Sequence, residues 1–184
     1  MSVKTIIALL FILTSSEAVL ASTSVGTIDP SNKSTKVCHD ASCTSFGIIN
    51  FGQTSATTIV ITDTAITGYA WGNEIGWVNM APTGAGVTVD PSTALVYGTA
   101  WSENSGWINF RPTNSGTISG GIPIGVSITT SGEFYGWAWN GGIYGGWIKF
   151  DCSVPATCVK TDWRKLSLRS TSTTTSGLGA SYFI

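Results

Sequence analysis

The stretch YGTAWSENSGWINF, residues 97–110, places Ala-Trp and Gly-Trp on either side of a short polar loop. The same arrangement occurs at residues 68–80 (GYAWGNEIGWVNM) and, with a loop two residues longer, at 135–150 (YGWAWNGGIYGGWIKF). Short runs rich in β-branched and aromatic residues, bounded by Gly, Asn and Ser, are typical of strands. A loop of about four residues between two such runs has hairpin length. Each copy therefore predicts one β-hairpin.

The repeat extends beyond the hairpin. Each of the first two copies is followed by a turn containing Pro or Gly and then by a short apolar run such as GVTV, residues 86–89. GIINF, residues 47–51, is a degenerate copy of GWINF, and IVIT, residues 59–62, takes the place of GVTV. The third copy comes late because the Gly/Ser-rich stretch 113–124 is a loop insertion. We expect an array of repeats from about Phe46 to Cys152.

One such unit cannot bury both faces of its strands alone, so the units must share one core. Helical periodicity is absent after the N-terminal apolar run. The sequence therefore predicts an all-β domain, in which the repeats build an antiparallel sheet of about ten strands. The sheet is expected to be closed or stacked as a small sandwich, barrel or prism.

The composition points away from nucleic acid and towards export. Of 184 residues, only 10% are charged and the net charge is −1, so no basic stripe is present to neutralise phosphates. Lys4 and the apolar run 5–14, followed by small residues up to Ala21, are typical of a cleaved signal peptide. A retained membrane anchor is the alternative, but the run is short for a bilayer span. We expect a secreted or cell-surface protein with no membrane span after cleavage.

This interpretation divides the chain into four parts. A signal peptide (1–21) precedes an N-terminal segment with a local disulfide (22–45), the tryptophan-repeat domain (46–163) and a Ser/Thr-rich tail (164–184). The tail has the composition of a linker or disordered end. An alternative is that its apolar tip, Tyr182–Ile184, adds as a strand to a neighbouring molecule.

The four cysteines form two close pairs in the sequence, Cys38 with Cys43 and Cys152 with Cys158. Exported proteins form disulfides, and the short spacings favour the two local pairings. The alternative is a metal site around His39 in CHDASC. Its spacing is loose for zinc, and the second pair has no histidine. We therefore predict no metal and no cofactor.

Strand alternation assigns the tryptophans to a face. In Gly-Trp-Ile-Asn-Phe, Ile108 and Phe110 share one face, and Trp107 and Asn109 share the other. The hairpin places its two tryptophans beside each other, which stabilises it whether or not the rings bind anything. Aromatic rings flanked by amides also suit the faces of sugar rings. The ligand-binding candidates are Tyr135, Trp137, Trp139, Trp147, Trp101, Trp107, Asn109, Trp71, Trp77 and Asn79, with Tyr135, Trp137 and Trp139 expected to be the densest exposed group.

Catalytic motifs are not evident. His39 is the single histidine, which makes a Ser-His-Asp triad improbable. Glu74 and Glu103 take equivalent loop positions in two copies, which duplication explains better than a glycosidase acid pair. Asp63 and Asp90 follow matched strands and would suit calcium, although aspartates in such turns usually cap their own backbone.

The three tryptophan-containing stretches resemble the Gly-Tyr-Ala-Trp…Gly-Trp-Ile-x-Phe repeats of exported bacterial proteins. The resemblance covers about 46–163, including Cys152 and the end CVKTDW, residues 158–163. It implies export and a β-rich repeat module. Because that family has no assigned activity, no catalytic residue is carried over. The departures here are Met80 in place of Phe, the longer third loop and the weak first unit.

Two functions follow from these features. The preferred one is a non-enzymatic binding or adhesion module whose aromatic face contacts a glycan or another surface polymer. The alternative is a structural subunit of an extracellular filament or layer that self-associates. Low charge, abundant Gly, Ser and Thr, and the apolar tip of the tail motivate this second function.

Overall fold

A computed structural model of the protein describes residues 24–40, 42–52, 58–113, 116–118 and 120–169. The predicted signal peptide and the apolar tip of the tail lie outside these described residues. No helix in the described part of the chain is long and apolar enough to cross a membrane.

The described residues form fifteen strands, all but the first of them short, and one 3₁₀ turn, Leu166–Leu168. All pairings between the strands are antiparallel, as expected for hairpin repeats. The strands are β1 (Val25–Cys38), β2 (Phe46–Asn50), β3 (Val60–Thr62), β4 (Ile66–Thr67), β5 (Tyr69–Gly72), β6 (Gly76–Asn79), β7 (Val87–Val89), β8 (Val96–Ser102), β9 (Gly106–Asn109), β10 (Thr117–Ile118), β11 (Ile122–Pro123), β12 (Ser127–Ile128), β13 (Phe134–Asn140), β14 (Gly146–Phe150) and β15 (Val159–Thr161).

Eight of these strands close into a barrel. The order around the ring is β1-β2-β5-β6-β8-β9-β13-β14, and β14 pairs back onto β1. The three predicted hairpins form β5–β6, β8–β9 and β13–β14, and the degenerate copy forms β2. The all-β prediction is confirmed, and of the three predicted closures the barrel is the one that forms.

Short strands extend the barrel at the end away from the hairpin loops. Five short strands lie there: β3, β4, β7, β12 and β15. They pair with one another or with the parts of β1, β8 and β13 that are farther from the hairpin loops. Each complete unit is thus a short strand followed by a hairpin. One unit is assembled from both chain ends, because C-terminal β15 pairs with N-terminal β1, which then pairs with β2.

The segment predicted to precede the repeat domain therefore contributes β1, which pairs with β2, β3, β14 and β15. Nothing in its sequence, VGTIDPSNKSTKVC, repeats the tryptophan motif. Its register with β15 shifts between Ile28 and Lys33, where polar residues and Pro30 interrupt the strand pattern. For these reasons the repeat pattern alone does not reveal this strand.

The core is filled by the strand face opposite the hairpin tryptophans. In each complete hairpin, a fully buried alanine on the first strand lies opposite a buried Val or Ile on the second. Phe150 lies among Phe51, Phe110 and Phe134, with ring centroids 5.8–6.1 Å away. The predicted alternation is confirmed by burial. The paired core residues are Ala70 and Val78, Ala100 and Ile108, and Ala138 and Ile148.

The glycine before Ala-Trp has a specific steric role. Gly98 has a φ of +82°, and a Cβ at this position would overlap the carbonyl oxygen of Gly86 in the same unit. Gly136 repeats this arrangement against the carbonyl of Gly125. Only glycine combines this backbone conformation with so close an approach. The glycine of the motif thus lets another backbone approach closely.

The C-terminal residues seal the end of the barrel away from the hairpin loops. Trp163 is fully buried in the main core, and its indole N–H donates to Asp63 Oδ1 at 3.1 Å. Arg169 forms an ion pair with the same carboxylate and lies over the Trp163 ring. This pairing lowers the pKa of Asp63, the Arg169 hydrogen bond being the largest cause. The first residues of the predicted tail are therefore part of the packed structure.

Substituting Gly98→Ala should destabilise the protein by about 2–4 kcal/mol. About 1 kcal/mol comes from the positive φ, and the rest comes from the overlap with Gly86. Gly84→Ala is the matched control, because Gly84 has a φ of +78° with nothing within 4 Å of the added Cβ. Urea unfolding of both variants isolates the steric contribution, and equal losses would contradict it.

Substituting Trp163→Ala should cost about 3–5 kcal/mol, since it empties a fully buried aromatic site and leaves Asp63 without one donor. Trp77→Ala removes an equally large side chain that is 38% exposed, and should cost about 1 kcal/mol. Thermal unfolding of the two variants compares the positions directly. A smaller loss at Trp163 than at Trp77 would show that Trp163 does not hold the C-terminal end in place.

Candidate binding site

Three tryptophan pairs lie on the outside of the barrel, one on each complete hairpin. In each pair the two residues are directly opposite in the antiparallel register, as predicted. The ring centroids of Trp101 and Trp107 are 5.0 Å apart, and those of Trp139 and Trp147 are 4.8 Å apart. Exposure of the rings reaches 49% at Trp107. The third pair is that of Trp71 with Trp77.

The fourth side of the barrel differs from these three. At the positions of the tryptophan pair, hairpin β1–β2 has Lys36 opposite Ile48, and two positions nearer the loop Cys38 lies opposite Phe46. Cys38 is buried by its disulfide with Cys43, and the Lys36 ammonium lies 3.9 Å from the Phe46 ring centre. Paired tryptophans therefore occupy three sides of the barrel.

The two candidate asparagines use their amide oxygens locally. Asn79 Oδ1 accepts from the Ala81 N–H, and Asn109 Oδ1 accepts from the Arg111 N–H, both at 2.9 Å. Asn50 makes the same contact to Gly52. Such Asx turns hold the chain as it leaves the strand. Asn79 and Asn109 are half-buried beside the tryptophan pairs, with a structural role that the sequence analysis did not assign.

The expected exposure of Trp137 is wrong. Trp137 is only 1% exposed, and it packs with Ile122 and Ile118 in a second apolar cluster that also includes half-buried Tyr135. The reason is the insertion 113–124, which forms hairpin β10–β11 and covers the outer face of β13. Of the group expected to be densest, only Trp139 is an exposed ring.

A cleft of about 510 Å³ lies beside the pair Trp139–Trp147, and we call it the Trp139 cleft. It arises because the third hairpin loop, Gly141–Gly145, is longer than the others and faces the disulfide loop Cys38–Cys43. Ile118 of the inserted hairpin closes one side. The lining residues are Cys38, His39, Asp40, Ile118, Trp139, Asn140, Gly141, Gly142, Gly145, Gly146 and Trp147.

Asp40 organises the disulfide loop at this cleft. Its carboxylate accepts from the Thr44 hydroxyl at 2.6 Å and from the backbone N–H groups of Thr44 and Ser45 at 3.1 Å. These hydrogen bonds lower the pKa of Asp40 to about 2, the Thr44 hydroxyl contributing most. Asp40 is therefore an anion at neutral pH, with both oxygens already engaged.

His39 joins three loops at the same end of the barrel. Its Nε2 lies 2.8 Å from Glu74 Oε2, and its Nδ1 lies 3.3 Å from the carbonyl oxygen of Gly145. Both partners are acceptors, so the protonated imidazole can donate to both, whereas a neutral ring can donate to one. His39 thereby ties the rim of the Trp139 cleft to the first complete hairpin.

Asn140 lines the cleft and carries a side-chain donor without a partner. It is fully buried, and its Oδ1 accepts from Ser105 Oγ at 2.7 Å and from the Gly142 N–H at 2.9 Å. Its Nδ2 has no hydrogen-bond partner. A buried donor without a partner costs roughly 1–3 kcal/mol. This group is therefore a candidate contact for a ligand that carries an acceptor.

The acidic residues considered for catalysis or calcium binding have local partners. Glu103 accepts from the Trp77 N–H, and Asp90 accepts from two N–H groups of its own turn. Asp63 holds the C-terminal end, as described above. Within the described residues, no group of three or more His, Cys, Asp or Glu side chains is placed to hold a metal ion.

Both predicted local disulfides are present, Cys38–Cys43 and Cys152–Cys158. The first uses the two cysteines of CHDASC, which excludes them as free thiolate ligands for a metal. Its loop instead supplies one wall of the Trp139 cleft. This disulfide therefore closes the loop that carries His39 and Asp40.

His39, Asp40 and Asn140 are not among the binding residues predicted from the sequence. Two features of the sequence nevertheless point to this region. The third loop is longer than the others, and an asparagine at its start interrupts the serine or glycine found at that position in the other copies. The cleft itself could not be inferred, because β1 is not recognisable as the neighbour of β14.

Comparison of the chain with protein-family models, with curated protein sequences and with solved structures found no match. The site is therefore interpreted from its own geometry.

The Asp40 carboxyl should titrate near pH 2 rather than at the ordinary value of 3.8. Since its pKa is lower in the folded protein, the stability that it contributes is present above pH 3.8 and is lost as the pH falls towards 2. Thr44→Val, which removes the hydroxyl donor, should raise this pKa, whereas Thr88→Val on β7 should not. Carboxyl ¹³C NMR titration measures both, and a wild-type value near 3.8 would contradict the hydrogen-bonded geometry.

Proposed function

We propose that the protein is an extracellular, non-enzymatic module that binds a glycan or another surface polymer through its exposed tryptophan pairs. One observation carries this proposal. Three pairs of large aromatic rings lie outside a closed barrel whose core is filled by other residues. Packing does not require them to be tryptophan, because smaller strand-forming residues would also complete the outer face of the sheet.

The chemistry of the pairs supports a sugar ligand. A pyranose has an apolar face of C–H groups that packs on an indole, and its hydroxyls hydrogen-bond to nearby polar groups. In the pair Trp101–Trp107 the two ring planes are inclined by 77°, so the rings do not cover each other as a parallel stack would. Thr99 and Asn109 lie opposite each other next to this pair and supply polar groups.

Two further features support an extracellular location. Both local disulfides are compatible with an extracellular protein, because disulfides persist in oxidising compartments. The predicted signal peptide, which lies outside the described residues, would direct the chain to such a compartment.

A second candidate function, a self-associating structural subunit, is favoured by the tip of the third hairpin loop. Ile143 is 86% exposed and Tyr144 is 51% exposed, next to the pair Trp139–Trp147. Exposed apolar groups of this kind are common at protein–protein contacts. Light scattering of the mature chain over a concentration range tests this candidate. Assembly that Ile143→Ser and Tyr144→Ser abolish would favour it over glycan binding.

The glycan proposal predicts that removal of the tryptophan pairs weakens binding while the fold persists. The mature chain, residues 22–184, is applied to a glycan array, and the affinity for any ligand found is then measured for Trp71→Ala, Trp101→Ala and Trp139→Ala. At least one variant should bind about tenfold more weakly, corresponding to about 1.4 kcal/mol. Circular dichroism and thermal unfolding check the fold.

The matched control is Tyr97→Ala. Tyr97 is an exposed aromatic residue of β8, 39% accessible, but it belongs to no tryptophan pair. Its loss should leave binding within about twofold. An array with no glycan bound, or binding that all three tryptophan variants retain, would overturn the proposal.

A further inference from the structure

We propose that the Trp139 cleft is the principal ligand site, and that it takes a neutral pyranose ring whose hydroxyl or acetamido oxygen accepts hydrogen bonds from the protein. This inference rests on the proposed function and names the site and ligand chemistry within it. Shape, unpaired hydrogen-bond donors and charge all set this cleft apart.

Shape distinguishes this tryptophan pair from the other two. The loop Asn73–Ile75 of the first complete hairpin and the loop Glu103–Ser105 of the second are short, so those pairs lie on a convex barrel wall. The loop Gly141–Gly145 is longer and stands opposite the disulfide loop, which encloses a volume of about 510 Å³. Small-molecule ligands bind in concave sites that bury most of their surface. This volume accommodates one or two sugar rings.

The cleft has an unpaired side-chain donor, whereas the side-chain oxygens of Asn140 and Asp40 are already engaged. Asn140 Oδ1 accepts two hydrogen bonds and the Asp40 oxygens accept three, whereas Asn140 Nδ2 has no partner. The indole Nε1 of Trp139 lies by Gly141, 3.3 Å from the position of a Cβ there, so no side chain separates it from the loop. A ligand that fits must therefore present acceptor oxygens next to an apolar face.

Charge selects further among such ligands. Asp40 lines the cleft as an anion, and Glu74 lies 2.8 Å from the rim residue His39. His39 is the single lining residue able to carry positive charge, and its imidazole already contacts Glu74. A sugar carboxylate or sulfate would therefore face negative charge without a free cation to pair with. Neutral sugars meet no such repulsion.

The test is a ¹H–¹⁵N NMR titration of the mature chain with three oligosaccharides of similar length. One is built from glucose, one from N-acetylglucosamine and one from a uronic acid. With a neutral ligand, the side-chain amide signal of Asn140 and the indole signal of Trp139 should shift, while the Trp101 and Trp107 indoles should not. The uronic acid oligomer should bind at least tenfold more weakly than the better neutral ligand. Comparison of the two neutral ligands shows whether a hydroxyl or an acetamido oxygen is used.

Matched variants complete the design. Trp139→Ala should weaken binding at least tenfold, and Trp101→Ala, which removes the corresponding ring of the neighbouring hairpin, should change it less than twofold. Gly141→Val places a side chain in the cleft without removing any tryptophan, and it should also abolish binding. It serves as the test if Trp139→Ala proves unfolded. Gly141→Ala is its smaller control.

The outcomes separate the two proposals. If sugars shift the Trp101 and Trp107 indoles but leave Asn140 and Trp139 unchanged, the cleft is not the principal site, although glycan binding stands. Tighter binding of the uronic acid oligomer would overturn the neutral ligand class. If no oligosaccharide shifts any indole, both the cleft and the proposed function fail.

Discussion

The pairing of β1 with β14 is the interaction on which the rest of this structure depends, because it closes the barrel. Lys36, Val37 and Cys38 pair with Lys149, Ile148 and Trp147, and β1 also pairs with β2 on its other side. Without this strand, the hairpin sheet would have two open edges and an incomplete core. β15 and Trp163 hold the first part of β1, from Gly26 to Lys33, so the first and last strands of the described residues lie side by side next to this seam.

Barrel closure also decides where the tryptophans go. A closed sheet has one inner face, which is narrow and is filled here by Ala, Val, Ile and Phe. The larger indoles of the three hairpins therefore lie outside, where cross-strand pairing holds them, and Trp163 alone among the tryptophans of the described residues belongs to the main core. The Gly-x-Ala-Trp motif serves both requirements. Its glycine admits a neighbouring carbonyl, and its alanine leaves room for the Val or Ile opposite.

Small departures from the repeat turn one of three similar pairs into a candidate site. The inserted hairpin β10–β11 buries Trp137 and places Ile118 at the edge of the cleft. The longer third loop forms one wall of the cleft beside Trp139, and the disulfide loop forms the wall that faces it. Asn140 is the clearest mark of specialisation. At the equivalent position Ser102 donates its hydroxyl to the Ile75 carbonyl, whereas Asn140 retains an amide donor without a partner.

Local sequence patterns predict the hairpins, the register of their tryptophans, the alternation of buried and exposed faces and the two local disulfides. These features depend on residues near one another in the chain, so spacing and strand periodicity are enough to predict them. Long-range packing sets the rest: the sheet closes as a barrel, β1 completes it, Trp137 is covered, and His39, Asp40 and Asn140 meet at Trp139. Those contacts join residues as far apart as the two chain ends, and β1 lacks the motif that would have shown its partners.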